Sequence, residues 1–96
     1  MNLLDNLHLH REEVLALAER HRAGNVRLFG SLARGDATPA SDIDLLVDPM
    51  PGATLFDLGG LQVELQQLLG APVDLLTPDD MPEAWRPTIL SAAIRL

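Results

Sequence analysis

Apolar residues recur along this chain in two periods. Between Arg11 and Arg22, Val14, Leu17, Ala18 and His21 fall three and four positions apart, with Glu12 and Glu13 leading and Gly24 just beyond. That spacing predicts a helix with an acidic first turn and a glycine stop. Val26 to Phe29 reads as a short strand ended by Gly30-Ser31, and Asp42 to Val47 gives the next strand signal, so two strands are expected, joined by a polar loop containing Gly35 and Pro39. After Thr54, a residue suited to cap a helix, Leu55, Leu58, Leu61, Leu65, Leu68 and Leu69 return to helical spacing until Gly70 and Pro72. Val73 to Leu76 reads as a third strand, Thr77, Pro78 and Asp80 as the N-cap, N1 and N3 of a helical turn, and the remainder as a last helix interrupted at Pro87. Helices and strands alternate without internal repeat or low-complexity tract, the pattern of an α/β protein.

The link from the second strand through the long helix to the third is long enough for a right-handed crossover, so those strands are expected to be parallel. Asp42, Asp44 and Asp74 then lie near the starting ends of their strands, whereas Gly30-Ser31 lies at the finishing end of the first. All can share one edge only if the first strand runs antiparallel to the second. A mixed sheet follows if these residues form one site.

Composition narrows the function. At 96 residues the chain is expected to form one domain spanning residues 1–96, too small to carry a second substrate-binding domain. Seven cations, all Arg, against 14 carboxylates give a net charge of −7, which argues against a surface that tracks nucleic-acid phosphates and favours a basic protein partner. The absence of Cys excludes disulfides, thiolate catalysis and cysteine zinc sites. Asp5 interrupts the first apolar residues, no basic start and apolar core form a signal peptide, and no apolar run reaches membrane-spanning length, so a soluble, cytoplasmic protein is expected.

In Asp42-Ile43-Asp44 the two-residue period of a strand puts both carboxylates on one face and Ile43, Leu45 and Val47 on the other. Two carboxylates about 4 Å apart at an effective dielectric near 20 repel by roughly 4 kcal/mol, and a hard divalent cation between them relieves this. Mg²⁺ suits a site of few carboxylates completed by phosphate and water. Standing alone, Asp-x-Asp is ordinarily a pair of solvated turn residues, and Gly-Ser an ordinary turn. Here, however, a strand runs into Gly30 and the small hydroxyl residue Ser31. Ser31 is expected to cap a short segment, Leu32 to Arg34, whose backbone amides face outward toward phosphate, while Gly30 allows close approach.

Gly30-Ser31, ten intervening residues and Asp42-x-Asp44 together resemble the signature of the polymerase β-type nucleotidyltransferase superfamily, specifically its minimal stand-alone members. The match is dense from Gly30 to Asp48, and the element order around it extends over nearly the whole chain. The resemblance implies an α/β nucleotidyltransferase fold with a small mixed sheet, the first strand antiparallel to the second and the second parallel to the third. It implies Asp42 and Asp44 as paired metal ligands, Asp74 as the third carboxylate, and Gly30 and Ser31 as holders of the triphosphate. For Arg34, neutralising phosphate charge and plain solvation stand side by side. The chemistry implied is nucleotidyl transfer with two Mg²⁺ ions and ATP, one ion activating the acceptor hydroxyl and the other clamping the triphosphate, with Asp74 placed to take the hydroxyl proton.

Relatives of this kind are often the antitoxin of a pair whose other half is a HEPN ribonuclease, and some adenylylate that toxin on tyrosine. This chain has no Tyr of its own, so a partner protein is the economical acceptor. The competing reading is an antitoxin that neutralises its toxin by direct binding; transfer to a small molecule or RNA end is disfavoured by the absent second domain and the acidic balance. Asp36 and Asp48 receive no role. His8 and His10 alternate as metal-binding pairs can, but lack a further ligand nearby and are taken as surface residues, and His21 is taken as part of its helix. Trp85 is expected to pack the last helix onto the sheet; an exposed Trp would instead mark a partner interface.

Overall fold

In the computed structural model, which describes residues 2–38 and 41–96, the helical leucines and the strand aliphatics meet across one interface. Helix α2 (Arg11–Arg20) contributes Val14 and Ala18, and α4 (Leu55–Leu69) contributes Leu61, Leu65 and Leu69. They pack on one face of a four-stranded sheet made of β1 (Ala23–Phe29), β2 (Ile43–Pro49), β3 (Val73–Leu76) and β4 (Ile94–Arg95). Its order is β3-β2-β1-β4. Val26 and Leu28, then Ile43, Leu45 and Val47, then Val73 line the face beneath the helices. The sheet is mixed as expected, β1 pairing antiparallel with β2 and β2 parallel with β3.

Central strand β2 is buried on both faces at its middle. Leu46 is fully buried, although alternation turns it away from Leu45 and Val47. A 3-10 turn at Pro78–Asp80 packs against β2, and Met81 beyond it is buried outside the main core, as is Leu46. The acidic face of the sheet is thus covered at its middle and open at the starting ends of β2 and β3.

Thr54 and Asp57 form the box that starts α4: the Thr54 N–H donates to Asp57 Oδ2 at 2.9 Å and the Asp57 N–H to Thr54 Oγ1 at 3.3 Å. Gly70, at φ +66°, closes it. The first turn overshoots the core, however, since Leu55 is 86% exposed. Helix α2 ends two residues before the expected Arg22, with His21 as its C-cap, and the left-handed position falls on Arg22 rather than Gly24. Gly24 lies inside β1, which starts three residues early because a bulge between Gly24 and Arg27, with Asn25 at φ +49°, lets the strand continue past the irregular register. The His21 ring pairs with Glu64 at 2.7 Å and ties α2 to α4.

Two elements go beyond the sequence expectations, and the last helix departs from them at Pro87. Helix α1 (Leu3–Leu9) is capped by Asn2, whose side chain accepts from the Asp5 N–H at 2.8 Å, and it buries Leu7. Strand β4 is two residues long, too short to show a period. Pro87 opens α5 (Arg86–Ala92) at its second position instead of interrupting a helix, because a first-turn proline forfeits no intrahelical bond. His8 is exposed, and the His10 ring donates from Nδ1 to the Asn6 carbonyl at 2.9 Å, in keeping with surface residues. Pro39, expected in the loop before β2, lies outside the described residues.

Burial separates the leucines of α4 energetically. Leu61→Ala is expected to destabilise the fold by about 2–5 kcal/mol and Leu55→Ala by no more than about 0.5 kcal/mol, as read by urea unfolding. Equal effects would contradict the packing described.

Candidate active site

Strand register assembles the site. Phe29 of β1 lies opposite Asp44 of β2, and Asp44 lies beside Asp74 of β3. The Ile43 N–H donates to the Pro72 carbonyl at 2.9 Å, which aligns the starts of the two parallel strands. Asp42, exposed just ahead of β2, stands two residues before Asp44 and therefore on the same side. The three aspartates read from the sequence thus converge at one edge.

Gly30 follows Phe29 directly and is brought against Asp44. A Cβ at position 30 would lie 2.9 Å from the Asp44 carboxyl carbon and closer still to Oδ2. Its φ of +73° independently favours glycine. Gly30 is also the first residue of α3 (Gly30–Arg34), with Phe29 as the N-cap. The expectation that Ser31 caps a helix starting at Leu32 is therefore corrected: Ser31 is the second helical residue, because the chain turns one residue earlier through the glycine. Leu32 is buried and anchors α3, and Gly35, at φ +81°, ends it.

Arg34, on the last turn of α3, is exposed and donates from Nε to Asp36 Oδ2 at 3.3 Å. Both partners are well solvated, so this contact adds little stability and releases readily. The pairing gives Asp36 a role that the sequence reading left blank. Asp48 has one as well: it accepts from Asn25 Nδ2 at 2.8 Å and Arg27 Nη2 at 2.7 Å, at the far end of β2 from the other acids. The bulge that turns Asn25 toward Asp48 had no sequence signal beyond an Asn tolerant of positive φ. Trp85 departs from expectation: it is 66% exposed and does not seal the last helix onto the sheet.

Electrostatics ties the cluster together. Burial, then the charges of Asp74 and Asp42, hold the Asp44 carboxyl above its ordinary value, and Arg34 opposes them in part. For Asp48 burial works in the same upward direction, but the hydrogen bonds from Asn25 and Arg27 and the Arg27 charge outweigh it and hold the carboxyl low. Among the described residues no group of three or more His, Cys, Asp and Glu side chains is placed to hold a metal ion.

A family model for the nucleotidyltransferase domain matches residues 10–95. The chain belongs to this family. Protein adenylyltransferase MntA of Thermococcus cleftensis is 33% identical to this chain over 85 residues, which cover 88% of this chain and 83% of MntA. A solved structure provisionally described as a minimal nucleotidyltransferase superimposes on all of this chain and 97% of its own with a TM-score of 0.90 and 44% identity. A crystal structure of a toxin–antitoxin with AMP-PNP shares the fold, with a TM-score of 0.72 over 88% of this chain and 69% of its own, at 20% identity. Among the described residues no helix is long and apolar enough to cross a membrane.

The raised titration of Asp44 carries a sign. Between its ordinary value of 3.8 and its higher folded value, the native state holds a proton that the unfolded chain has lost, so stability falls as pH rises through this window. Asp44→Asn removes the penalty. Without metal, the variant should melt above the wild type at pH 7, and the gain should shrink as pH falls through the window and be gone below 3.8. A lower melting temperature at pH 7 would contradict the electrostatic description.

Proposed function

We propose that this chain is a Mg²⁺-dependent transferase that moves AMP from ATP to a hydroxyl of a partner protein, a HEPN-type ribonuclease toxin, and acts in the cytoplasm as its antitoxin. The observation that carries this reading is the contact of the Gly30 turn with the Asp44 carboxylate, with Asp74 beside it in register. A backbone turn open to phosphate and a cluster of hard oxygen donors are contiguous. Further support comes from the relative named as a protein adenylyltransferase and from the fold shared with a toxin–antitoxin that contains AMP-PNP.

The donor set fits Mg²⁺. Its donors are all carboxylates, and burial together with the charges of Asp74 and Asp42 holds Asp44 above its ordinary value. That combination suits an ion bound by one or two carboxylates and completed by phosphate oxygens and water. Asp42 and Asp44 would hold the metal, and Asp74 would support it on the acceptor side. When bound, the metal supplies Lewis acidity to the acceptor hydroxyl and the transferring phosphate.

The residues of the chain do the rest. Gly30, without a side chain, lets the phosphates approach the backbone, and Ser31 and the free N–H groups opening α3 donate to their oxygens. Arg34, released from Asp36, meets phosphate charge. The acceptor oxygen bonds to the α-phosphorus, the bond from that phosphorus to the β-phosphate oxygen breaks, and pyrophosphate departs. Asp74 takes the hydroxyl proton.

Catalysis and simple covering of the partner differ in stoichiometry. With Mg²⁺ and ATP, one part of this protein should inactivate at least about tenfold more partner toxin, each molecule gaining the mass of one AMP residue and staying inactive after separation; turnover allows this excess. Asp42→Asn with Asp44→Asn should abolish both effects. Stoichiometric, ATP-independent neutralisation that survives the double substitution would instead establish an antitoxin that acts by binding.

A further inference from the structure

The chain between β3 and α5 is pinned at both ends, yet it leaves its largest side chain in water. The Thr77 N–H and Oγ1 donate to Asp80 Oδ2 at 2.9 and 3.0 Å. Arg86 reaches back, donating from Nε to the Pro78 carbonyl at 2.8 Å and from Nη2 to the Met81 carbonyl at 3.1 Å. The N–H groups of Trp85 and Arg86 both donate to the Pro82 carbonyl at 3.0 Å, and Met81 is 5% exposed. Trp85 nonetheless remains 66% exposed. A large indole held in water on an ordered segment forgoes burial, and it presents a contact surface whose ordering is complete before any partner arrives.

This segment lies on the site's face of the sheet. Leu46 shares that face with Asp44 by alternation, and the 3-10 turn that packs on β2 leads into Met81, buried like Leu46 outside the helix-side core. Asp74 is on the same face through its register with Asp44. The indole is thus carried by a segment tied, through the 3-10 turn, to the side of the sheet that bears the acids.

Charge specifies what would sit there. Asp79, Asp80 and Glu83 are exposed in the same segment as Trp85, Asp80 with one oxygen engaged by Thr77, and Arg86, the one cation of the segment, turns Nε and Nη2 inward onto carbonyls. The other strongly exposed apolar pair, Leu55 and Phe56, lies on the first turn of α4, a helix that packs on the opposite face of the sheet.

We propose that residues 79–85 are the docking surface for a basic, arginine-presenting face of the acceptor protein, with Trp85 as its central anchor. A guanidinium stacks on the indole and its stem covers the ring, while Asp79 and Glu83 surround it with opposite charge. Docking here brings the acceptor to the face that holds Asp44 and Asp74. The inference rests on transfer to a partner protein and names the surface that selects it.

The probe is the purified product of the neighbouring reading frame, and the first measurement is calorimetric binding without ATP. Trp85→Ala should weaken binding by about 30-fold or more, as loss of a central aromatic anchor does. Asp79→Asn with Glu83→Gln should weaken it by roughly fivefold and flatten its dependence on salt. Trp85 is the sole Trp, so its emission should shift to the blue on binding, and the KM for the partner in transfer should rise in step with Kd. Wild-type affinity in Trp85→Ala, absence of binding by the wild type, or a wild-type self-dimer dissolved by Trp85→Ala would overturn the proposal. Transfer with unchanged Trp85→Ala binding removes the docking surface and leaves the enzyme. Trp85-dependent binding without transfer does the reverse.

Discussion

The Asp44 carboxylate lies against a stretch of backbone that has no side chain to yield, and this contact constrains both fold and site. It exists because β1 ends at Phe29, opposite the second residue of β2, and runs directly into a glycine at positive φ. Were β1 parallel to β2, the turn at its end would open at the other edge, away from the acids. The antiparallel pairing of β1 and the parallel pairing of β3 are therefore both needed to bring the Gly30 turn and three carboxylates together. The remaining structure supplies the rigidity. Ile43, Leu45 and Val47 hold β2 from the helix side and Leu46 from the other, so the aspartates at its start are fixed by a strand that cannot rotate.

That rigidity has an electrostatic consequence. Like charges on a fixed strand edge cannot move apart, so burial and repulsion act together on Asp44, with only Arg34 opposing. At the other end of the same strand Asp48 meets Asn25 and Arg27 and is stabilised in its charged form. One strand thus carries a satisfied carboxylate and a strained one, and the strained one faces the Gly30 turn. Under the proposed function, the strained carboxylate is the one whose repulsion a cation would relieve.

Much of this was legible in the sequence because the relevant signals are local. Asp42-Ile43-Asp44 fixes its own faces by the period of two, Thr54 and Thr77 start their helical turns as their spacing to Asp57 and Asp80 suggests, and Val73 to Leu76 is a strand with the expected limits. The mixed sheet followed from asking which topology lets Gly30 and the aspartates share an edge. What stayed hidden depends on contacts distant in sequence or on very short elements. Strand β4 exists only through pairing with Arg27 and Leu28, α1 is one cap and one buried leucine, and the β1 bulge answers to Asp48 more than twenty residues away. The exposure of Trp85 is equally a tertiary outcome: Met81, four residues earlier, is the buried residue of this segment, and the indole is left in water.

We propose that the Gly30 turn and the aspartates form one metal- and nucleotide-binding unit around Asp44. Its most direct test is a carboxyl carbon NMR titration of Asp44, free and with Mg²⁺ and a non-hydrolysable ATP analogue. In the free protein Asp44 should titrate above 3.8, and with metal and nucleotide together its midpoint should fall well below the free value. An ordinary midpoint in the free protein, or one unmoved by the two ligands together, would contradict the account.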